Sequence, residues 1–551
     1  MKFEEKKRIR QLCDRAVKIR KERFDSDYQE AVKFCRPIRR DWSDGGPDMA
    51  GGSNQPDRTV IDSIGTHNTN IGAQGFHGYS MSPAMRWWRF SPSTRKLERS
   101  RAVSVYLQTC EDRIALQMDR SNVYIASGEA FKDWIATGIG VMWLGENALR
   151  DGLQAVAIHI KRIGLMTSET GEITGVVRDA WLTADELKER FGKLPEGVAS
   201  LSDADPGATF PLKHVAMLRR GGKVGAIAAA KPWASYWFYT GPGALDGWDL
   251  LKESGFDSNP YLIARWDVVA EAPYAIGPGI YALPDLRMLQ ELKRARLKSV
   301  QLLAERPLMV SKTLRGRLNY QPRGITFADP GEQAHPLVDG SQPFSLDSDI
   351  AETRAAIDNH FYRQLFTVLL SNPKGLTAFE ASGIQSEQAA LLGPPVSRLQ
   401  SEFLIPLLRR VWEIEAAAGR LPAPPQELQN EDVSVDFLGL LAQLQKRHAR
   451  ITGTIQALSG IQVVASLFPQ SLDNYDGDVV STGLADAYGM DQEAIRDESD
   501  VRKLREARMK AQVDAVQQQQ QAAMTQALLS NADKVSALAP PNPLGGLGGG
   551  R

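Results

Sequence analysis

A strongly helical stretch that contains its own prolines, residues 377–419, most constrains what this chain can fold into. It opens with Thr377 and, three residues later, Glu380, which is the capping-box pattern of a helix start. Three prolines then fall inside the apolar helical pattern: Pro394, Pro395 and Pro406. Because proline lacks a backbone N–H and its ring clashes with the preceding turn, the sequence predicts a long helix that bends. Such a helix is a mechanical element, since none of its residues forms a catalytic pattern.

Size and composition indicate a multidomain globular protein. A chain of 551 residues exceeds one hydrophobic core, so we expect about two to four folding units. The hydrophobic content of 42% and the charged content of 24% are ordinary, and no apolar run approaches the ~18 residues of a membrane span. The charged N-terminus is unlike a secretory signal, and three cysteines without metal spacing suit a reducing cytoplasm.

The charge balance limits how this chain can meet nucleic acid. Lysine plus arginine and aspartate plus glutamate each number 66. Proteins that grip DNA electrostatically usually carry a basic excess. Neutrality therefore argues against tight phosphate binding, although it is compatible with loose passage of DNA.

The first half of the chain predicts alternating helical and β-rich segments. Helical spacing covers residues 1–40 and 100–138, and β-type alternation covers 142–178 and 212–270. The small and polar residues of 58–80 favour a helix with close neighbours. Thr183 with Glu186 predicts a short capped helix that ends at Gly192. The segment Arg86–Phe90 reads as a strand whose aromatic rings cover a helix; the weaker alternative is a stacking platform for single-stranded nucleic acid.

The middle of the chain predicts two long helices around a small insertion. The first covers 284–305, with Pro284 at its start and an apolar stripe formed by Leu289, Leu292, Val300 and Leu303. The second opens at a capping box of Asp349 and Glu352, and its apolar stripe comprises Ile350, Thr353, Ile357, Phe361 and Leu365. Turn residues and short apolar runs in 306–346 predict a compact β-rich insertion between them.

No catalytic or cofactor-binding motif is evident in the sequence. Gly221-Gly222-Lys223 lacks the first glycine and the final Ser or Thr of a P-loop and reads as a hairpin turn. The seven histidines form no HExxH pattern and no Cys/His cluster, and GxSxG does not occur. The sequence therefore predicts a protein that is not an enzyme and that uses no cofactor or metal.

The bent-helix stretch also carries a recognisable pattern, GP…RLQ.E.L.PL…R. Its residues are Gly393-Pro394, Arg398-Leu399-Gln400, Glu402, Leu404, Pro406-Leu407 and Arg410. The pattern resembles the portal (head-to-tail connector) proteins of short-tailed bacteriophages. The order of small-residue helix, aromatic strand, hairpin and capped helix is similar to that family too. The resemblance implies an α+β, mainly helical portal fold with wing, stem, clip and crown, assembled into a ring that is twelve-fold in the family.

The resemblance assigns each segment to a part of that fold. The expected parts are the wing at 1–283, stem helix 1 at 284–305, the clip at 306–346, stem helix 2 at 347–371, the tunnel loop and kinked helix at 372–420, the crown and C-terminal helical region at 421–530, and a disordered tail at 531–551.

The same resemblance implies a structural role, in which the chain makes and breaks no covalent bond. The ring would stand at the unique capsid vertex of the virion after assembly in the host cytoplasm, and double-stranded DNA would pass through it during packaging and ejection. Its partners would be other copies of the chain, the terminase, a tail adaptor or head-completion protein, and the major capsid and scaffolding proteins, with no membrane. The alternative is an internal core or ejection protein, which would need membrane-compatible amphipathic helices or a lytic motif; neither appears.

Basic residues are the candidate functional groups under this interpretation. Lys374 and Asn372 lie in the expected tunnel loop, where they would face DNA. On the first stem helix, three cations lie opposite the apolar stripe: Arg287, Arg294 and Lys298. They would either line the channel or pair with acidic residues of a neighbouring subunit, as the nearby Glu291 suggests. The clip cations form either a partner-docking surface or a solvated loop: Lys312, Arg315, Arg317 and Arg323.

Overall fold

The computed structural model of the chain describes most of residues 3–536. The described ranges are 3–39, 59–92, 100–147, 151–192, 207–219, 231–244, 247–268, 272–304, 308–316, 326–327, 329–331, 334–336, 344–370, 392–428, 433–438, 459–462, 474–481 and 498–536, with single residues between some of them. The chain divides into two units, residues 1–93 with 106–459 and residues 94–105 with 460–551.

Helices and strands alternate along the first unit, which confirms the α+β class. The helices are α1 Phe3–Arg23, α2 Asp25–Cys35, α3 Ile64–Ser80, α4 Arg101–Arg120, α5 Val123–Thr137, α6 Ala184–Phe191, α7 Pro278–Tyr281, α8 Leu283–Ala304, α9 Phe344–His360, α10 Arg363–Leu370, α11 Gly393–Leu399, α12 Ile405–Ala417 and, in the second unit, α13 Glu498–Ser536. The strands are β1 Trp88–Pro92, β2 Ile139–Glu146, β3 Leu153–Ile158, β4 Ile163–Thr167, β5 Ile173–Thr183, β6 Thr209–Leu218, β7 Trp233–Tyr239, β8 Asp249–Phe256, β9 Tyr261–Arg265, β10 Asp267–Val268, β11 Ala275–Ile276, β12 Leu308–Val310, β13 Ala334–Pro336 and β14 Val433–Phe437.

Two antiparallel sheets form the centre of the first unit. One has the order β3-β2-β9 and the other the order β4-β5-β6-β7-β8. Helix α1 packs on one face of the larger sheet, where Ile9 and Cys13 meet Val215 and Phe238. Helix α6 packs with Leu187 against Leu212 and Trp237 in a separate apolar cluster. The alternating side-chain pattern of the strands thus builds a sheet with helices on both faces.

The N-terminal helical prediction is confirmed, with a break at Phe24. Ile9, Cys13, Ala16 and Arg20 are buried at intervals of three or four residues, which is the stripe expected of an amphipathic helix. Although arginine is rarely buried, Arg20 is satisfied there. Its Nη1 donates to the carbonyl oxygens of Ile160 at 2.9 Å and Ile163 at 2.6 Å, and its Nε donates to Asp25.

The aromatic strand covers a helix, as its favoured interpretation states. Trp87 and Trp88 are 2% and 1% exposed, so they present no stacking platform to solvent. β1 pairs with β14, residue Phe90 opposite Val435. β14 is a strand inside 421–530, the region expected to be helical. The segment from Val433 to Phe437 alternates apolar and polar residues with period two, and that pattern favours a strand.

The prolines of the bent helix act differently from expectation. Pro394 does not interrupt a helix; α11 begins at Gly393, so Pro394 and Pro395 lie in its first turn, where a missing N–H leaves no bond broken. Pro406 does lie within continuous helix, and the residues before it, Gln400–Leu404, form a π-helical turn. A wider turn accommodates the lost i to i−4 bond. The predicted start of this helix near Thr377 lies outside the described residues.

The second of the two long helices predicted in the middle of the chain begins earlier than predicted and is divided in two. α9 starts at Phe344, and the carbonyl of Asp349 already accepts the Thr353 hydroxyl at 2.7 Å inside the helix. The Asp349 capping box is therefore wrong. The predicted stripe is confirmed, since Ile350, Thr353, Ile357, Phe361 and Leu365 are all buried. Tyr362, with a φ of 55°, separates α9 from α10.

The second unit contains the long helix α13. It continues to Ser536, so the start of the predicted disordered tail, 531–536, is helical. Helix-forming residues extend past 530 until the prolines at 540 and 541, which explains the difference. Residues 537–551 lie outside the described part of the chain.

Candidate functional site

The two helices α8 and α9, with the small sheet between them, form the candidate site, here called the hairpin. β12 and β13 pair antiparallel, with Leu308 opposite Pro336 and Val310 opposite Ala334. This small sheet confirms a β-type insertion between the helices. Near the body of the unit, Leu286 and Leu289 of α8 and Ile357 of α9 are fully buried. The apolar stripes therefore meet at the base of the hairpin.

Asp62, just before α3, joins both helices of the hairpin to the body. Its Oδ2 lies 2.5 Å from Nη2 of Arg354 on α9 and 3.5 Å from Nζ of Lys293 on α8. The Asp62 side chain is only 6% exposed, so these contacts are little screened by solvent. One carboxylate thus fixes the position of two helices that are separated by a long insertion.

Gln290 completes this attachment. Its Oε1 accepts the backbone N–H groups of Ile61 at 2.7 Å and Asp62 at 3.0 Å. Its Nε2 donates to the carbonyl oxygen of Asp62 at 3.0 Å. The buried amide satisfies backbone groups that would otherwise lose water without compensation.

Arg287, a predicted channel residue, pairs within its own chain. Its Nε donates to Oε1 of Glu30 on α2 at 2.6 Å, and its Nη2 contacts the other carboxylate oxygen. The hydrogen bonds from Arg287 lower the pKa of Glu30. Arg287 therefore links the hairpin to α2.

The other two predicted cations of α8 differ from each other. Arg294 contacts Glu291 one turn earlier on the same helix. Lys298 is exposed and forms no ion pair with any residue that the structure describes. Further along, Nε of Arg296 lies 3.0 Å from Oδ1 of Asp347, which joins α8 to α9 at the far end of the hairpin. The sequence pattern grouped these cations, but the structure gives each a different environment.

One member of the predicted apolar stripe is exposed. Val300, expected to be buried with Leu289, is 50% exposed. The same holds for Met288, Leu297 and Leu302 at 49–51%. A two-helix hairpin has no third layer beyond its base, so these apolar side chains of α8 stay in solvent.

The tip of the hairpin carries exposed apolar and basic side chains. Met309 is 59% exposed and Phe327 is 85% exposed, whereas Leu314 is buried at 2%. Lys312 begins a short 3-10 turn and Arg315 follows it, both exposed. The other two clip candidates, Arg317 and Arg323, lie outside the described residues, as do the tunnel-loop candidates Asn372 and Lys374.

The bent helix is attached to the sheet by a buried ion pair. Nε and Nη2 of Arg265, at the end of β9, donate to the two carboxylate oxygens of Glu402 at 2.9 and 2.6 Å. Glu402 lies in the π-helical turn, so the irregular turn is also the anchored turn. Next along, the Arg410 guanidinium lies 4.8 Å from the centroid of the Phe256 ring.

Sequence reasoning missed the residues that attach the hairpin and the bent helix. Asp62 and Gln290 lie 228 positions apart, and Arg265 and Glu402 lie 137 apart. A usable signal was Gln290, a polar residue next to Leu289 on the apolar side of α8. The partners themselves could not be read from spacing.

The described residues contain neither a metal-binding cluster nor a membrane-spanning helix. Among those residues, no group of three or more His, Cys, Asp or Glu side chains could bind a metal ion. No helix among them is both long and apolar enough to span a membrane.

Comparison with known proteins identifies the class. The family model described as "Bacteriophage head to tail connecting protein" matches residues 6–495, so the chain belongs to that family of head-to-tail connectors. It is 27% identical over 496 residues to the "Probable portal protein" of Bordetella phage BPP-1, covering 87% of this chain and 86% of the relative. It is 25% identical over 557 residues to the "Portal protein" of Salmonella phage epsilon15, covering 98% and 97%. The resemblance drawn from the bent helix is confirmed.

Proposed function

We propose that this chain is a portal subunit. Copies of it form a ring at the unique capsid vertex, and double-stranded DNA passes through the ring during packaging and ejection. Its relatives named as portal proteins match along nearly their whole length, which supports the assignment. The structural observation that carries the proposal is the hairpin, two packed helices with a small sheet at the tip and a multiply bonded base.

The hairpin supplies the stem and clip of this proposal. α8 and α9 are the stem helices, and the tip at 306–346 is the clip. Head-to-tail contacts between identical subunits close into a ring when the rotation between neighbours closes; twelve copies are expected from the family resemblance. The exposed apolar side chains of α8, such as Leu297 and Val300, are suited to contacts with the next subunit.

In this proposal some basic side chains attach the stem to the body of the subunit, and others face the channel or the neighbouring subunit. Arg287 attaches the stem to α2, so its charge is partly compensated by Glu30. Lys298 has no such partner in the described part of its chain; we assign it either to the channel wall or to a carboxylate of the neighbouring subunit. Lys374, with Asn372, is the proposed DNA-facing group of the tunnel loop. Arg294 contacts Glu291 and serves the ring contact better than the channel.

The clip is the proposed docking surface. Lys312 and Arg315 follow the exposed Met309 closely in sequence and are exposed themselves, and a mixed basic and apolar surface suits a protein partner. The terminase would dock there during packaging and the tail adaptor afterwards. The remaining proposed contacts, with major capsid and scaffolding proteins, fall on the body of the ring.

Negative-stain microscopy of the purified chain tests the ring. We expect closed rings with a central hole. Compact monomers or open filaments, at concentrations where relatives of this class assemble, would contradict the proposal. Counting the rotational symmetry of class averages gives the subunit number.

A second experiment tests the clip separately. Replacing 306–346 by a short Gly-Ser linker should leave rings intact, because the bonds at the hairpin base lie outside the deleted segment. The same variant should no longer attach the terminase or the tail. The matched control is Lys312→Ala with Arg315→Ala, which leaves the clip in place and should weaken attachment less. Packaging and tail addition by the deletion variant would show that the clip assignment is wrong.

A further inference from the structure

A concave pocket of about 360 Å³ lies beside the base of the hairpin. Three aromatic residues line it, Trp266, Tyr281 and Tyr362, together with Pro278 and His360. The Trp266 and Tyr362 rings lie 5.9 Å apart, centroid to centroid, at an angle of 37°. The ring faces of tryptophan and tyrosine attract cations, because their π electrons are negative.

An uncompensated carboxylate lies beside these rings. Oδ2 of Asp267 accepts the hydroxyl of Tyr281 at 2.6 Å. Asp267 is exposed, and it forms no ion pair with the basic side chains that the structure describes. Burial, together with the hydrogen bond to Asp267, raises the pKa of Tyr281 to about 12, so this phenol stays a donor at neutral pH. The remaining carboxylate oxygen is left for a ligand.

A second acidic group, Asp285, contacts a residue that lines the pocket. Oδ2 of Asp285, in the first turn of α8, lies 3.2 Å from Nε2 of His360. The nearest basic side chain on α10, Arg363, is 3.1 Å from Asp358. Two carboxylates therefore contact residues that line the pocket, and His360 is the one basic side chain among those lining residues.

The backbone at Tyr362 is strained in a way that shapes the pocket. Tyr362 has a φ of 55°, and among the described residues it is the one non-glycine residue with positive φ. A bulky residue in the left-handed region is unfavourable unless its surroundings impose it, and such strain is concentrated at functional sites. Here the strained turn places a third aromatic ring in the pocket wall.

We propose that this pocket binds an alkylammonium cation, with the charge between the aromatic rings and the free oxygen of Asp267. An ammonium group fits better than a guanidinium, because one Asp267 oxygen is already bonded to Tyr281 and a bidentate pair is not available. The methylene chain of the ligand would lie along Trp266 and Pro278. The cation has two possible sources, a free diamine or polyamine and a lysine side chain from another copy of this chain.

Calorimetric titration of the full-length chain with 1,5-diaminopentane tests the proposal. We expect saturable binding that weakens with added salt, and no binding of the uncharged 1,5-pentanediol. Asp267→Asn removes the charge at constant shape and should lower the affinity about tenfold or more. The matched control is Asp119→Asn, an exposed aspartate of α4 outside the pocket, which should bind as the wild type does.

A second variant shows whether weaker binding by Asp267→Asn reflects the pocket or a folding defect of that one variant. Tyr281→Leu alters a side chain that is 44% exposed, so it should fold, and it should also weaken diamine binding. Equal binding by the diol, or unchanged affinity in both variants, would overturn the proposal, as would the lack of any saturable binding. Titrating isolated chains and assembled rings distinguishes the sources. Binding to both indicates a free amine ligand, whereas binding to isolated chains alone indicates a pocket filled by a neighbour's lysine.

Discussion

At the scale of single residues, buried ion pairs join segments that are far apart in the chain. Arg265 with Glu402 joins a sheet strand to the bent helix. Arg36 with Asp133 joins the end of α2 to α5, with both side chains 6% exposed. Removing one partner of such a pair leaves a buried charge without compensation, which costs far more than the pair contributes. These residues therefore determine how the elements are attached to each other.

The first prediction concerns Glu402. Glu402→Ala leaves Arg265, which is 4% exposed, with a buried charge and only the Gly171 carbonyl as hydrogen-bond partner. We expect the free energy of unfolding to fall by about 3 kcal/mol. Denaturant unfolding measures the change. The matched control is Glu22→Gln, whose partner Lys18 is 71% exposed and whose loss should cost less than about 0.5 kcal/mol. Equal effects of the two variants would contradict the role given to Arg265.

The second prediction concerns the pH dependence at Glu111. Glu111 is 5% exposed, and its Oε1 accepts the backbone N–H of Phe90 at 2.7 Å. Burial raises its pKa from 4.5 to about 7. The native state therefore binds this proton more tightly than the unfolded state does. Its ionisation destabilises the native state progressively as pH rises from about 4.5 to about 7, and the penalty is complete above that range.

Glu111→Gln removes this ionisation and tests the sign. We expect the variant to match the wild type below about pH 4.5 and to be more stable than it at about pH 8. Melting temperatures of both proteins across this range measure the difference, and the exposed Glu22→Gln serves as the control. A difference that does not change with pH would show that folding does not raise the pKa of Glu111, and a difference of the opposite sign would show that folding lowers it.

At the scale of elements, close packing decides what the local pattern leaves open. The π-helical turn at Gln400–Leu404 is one case, because Pro406 shows only that a backbone bond is lost. Whether the helix ends or widens there depends on its neighbours. Glu402 in that turn is bonded to Arg265, and Phe403 packs against the Phe131 ring at 5.5 Å between centroids. The anchored turn therefore continues the helix instead of ending it.

Two glycines near the junction of α5 and β2 give the third prediction. A Cβ at Gly140 would lie 2.4 Å from the backbone oxygen of Ala130, so Gly140→Ala must separate α5 from β2. A Cβ at Gly128, inside α5, would meet nothing within 4 Å. We expect Gly140→Ala to lower the melting temperature. Gly128→Ala should raise stability by about 0.5–1 kcal/mol, because alanine loses less backbone entropy in a helix. Equal effects of both substitutions would contradict the packing described.

At the scale of the whole molecule, the balance of charge suits a protein that lets DNA move. Basic and acidic side chains number 66 each. Many of the basic ones are paired within the chain, as Arg287 is with Glu30 and Arg354 is with Asp62. A surface that bound phosphates tightly would hinder the movement of DNA through a ring.

The fourth prediction is therefore weak binding to free double-stranded DNA. Fluorescence anisotropy with a labelled duplex, at about 150 mM salt, should give a dissociation constant no tighter than ~10⁻⁶ M. Because few phosphates would be neutralised by a chain without a basic excess, the dissociation constant should also change little with salt concentration. Lys298→Glu reverses a charge that lacks a partner in the described part of its chain and should change this binding little outside an assembled ring. Nanomolar binding by the isolated chain would contradict the proposal of loose passage.

Much of the fold followed from local patterns. The period of the apolar residues predicts α1 and the stripe of α9, because burial of one helical face needs only that spacing. The partners of charged groups could not be predicted in this way. Arg287 is expected to face a channel or a neighbouring subunit, which stays a prediction, and its bond to Glu30 depends on two segments that only the fold brings together.

The sequence by itself determined the class of this protein and the order of its elements. It also determined the balance of charge, which suits the proposed structural role. These properties depend on composition, on short-range periodicity and on one pattern in the bent helix. Only the tertiary structure decided how the elements are joined, through Asp62 at the hairpin base and Glu402 in the π-helical turn. The physical reason is that hydrophobic burial repeats along a helix or strand, whereas a hydrogen bond or ion pair depends on two atoms meeting across the folded chain.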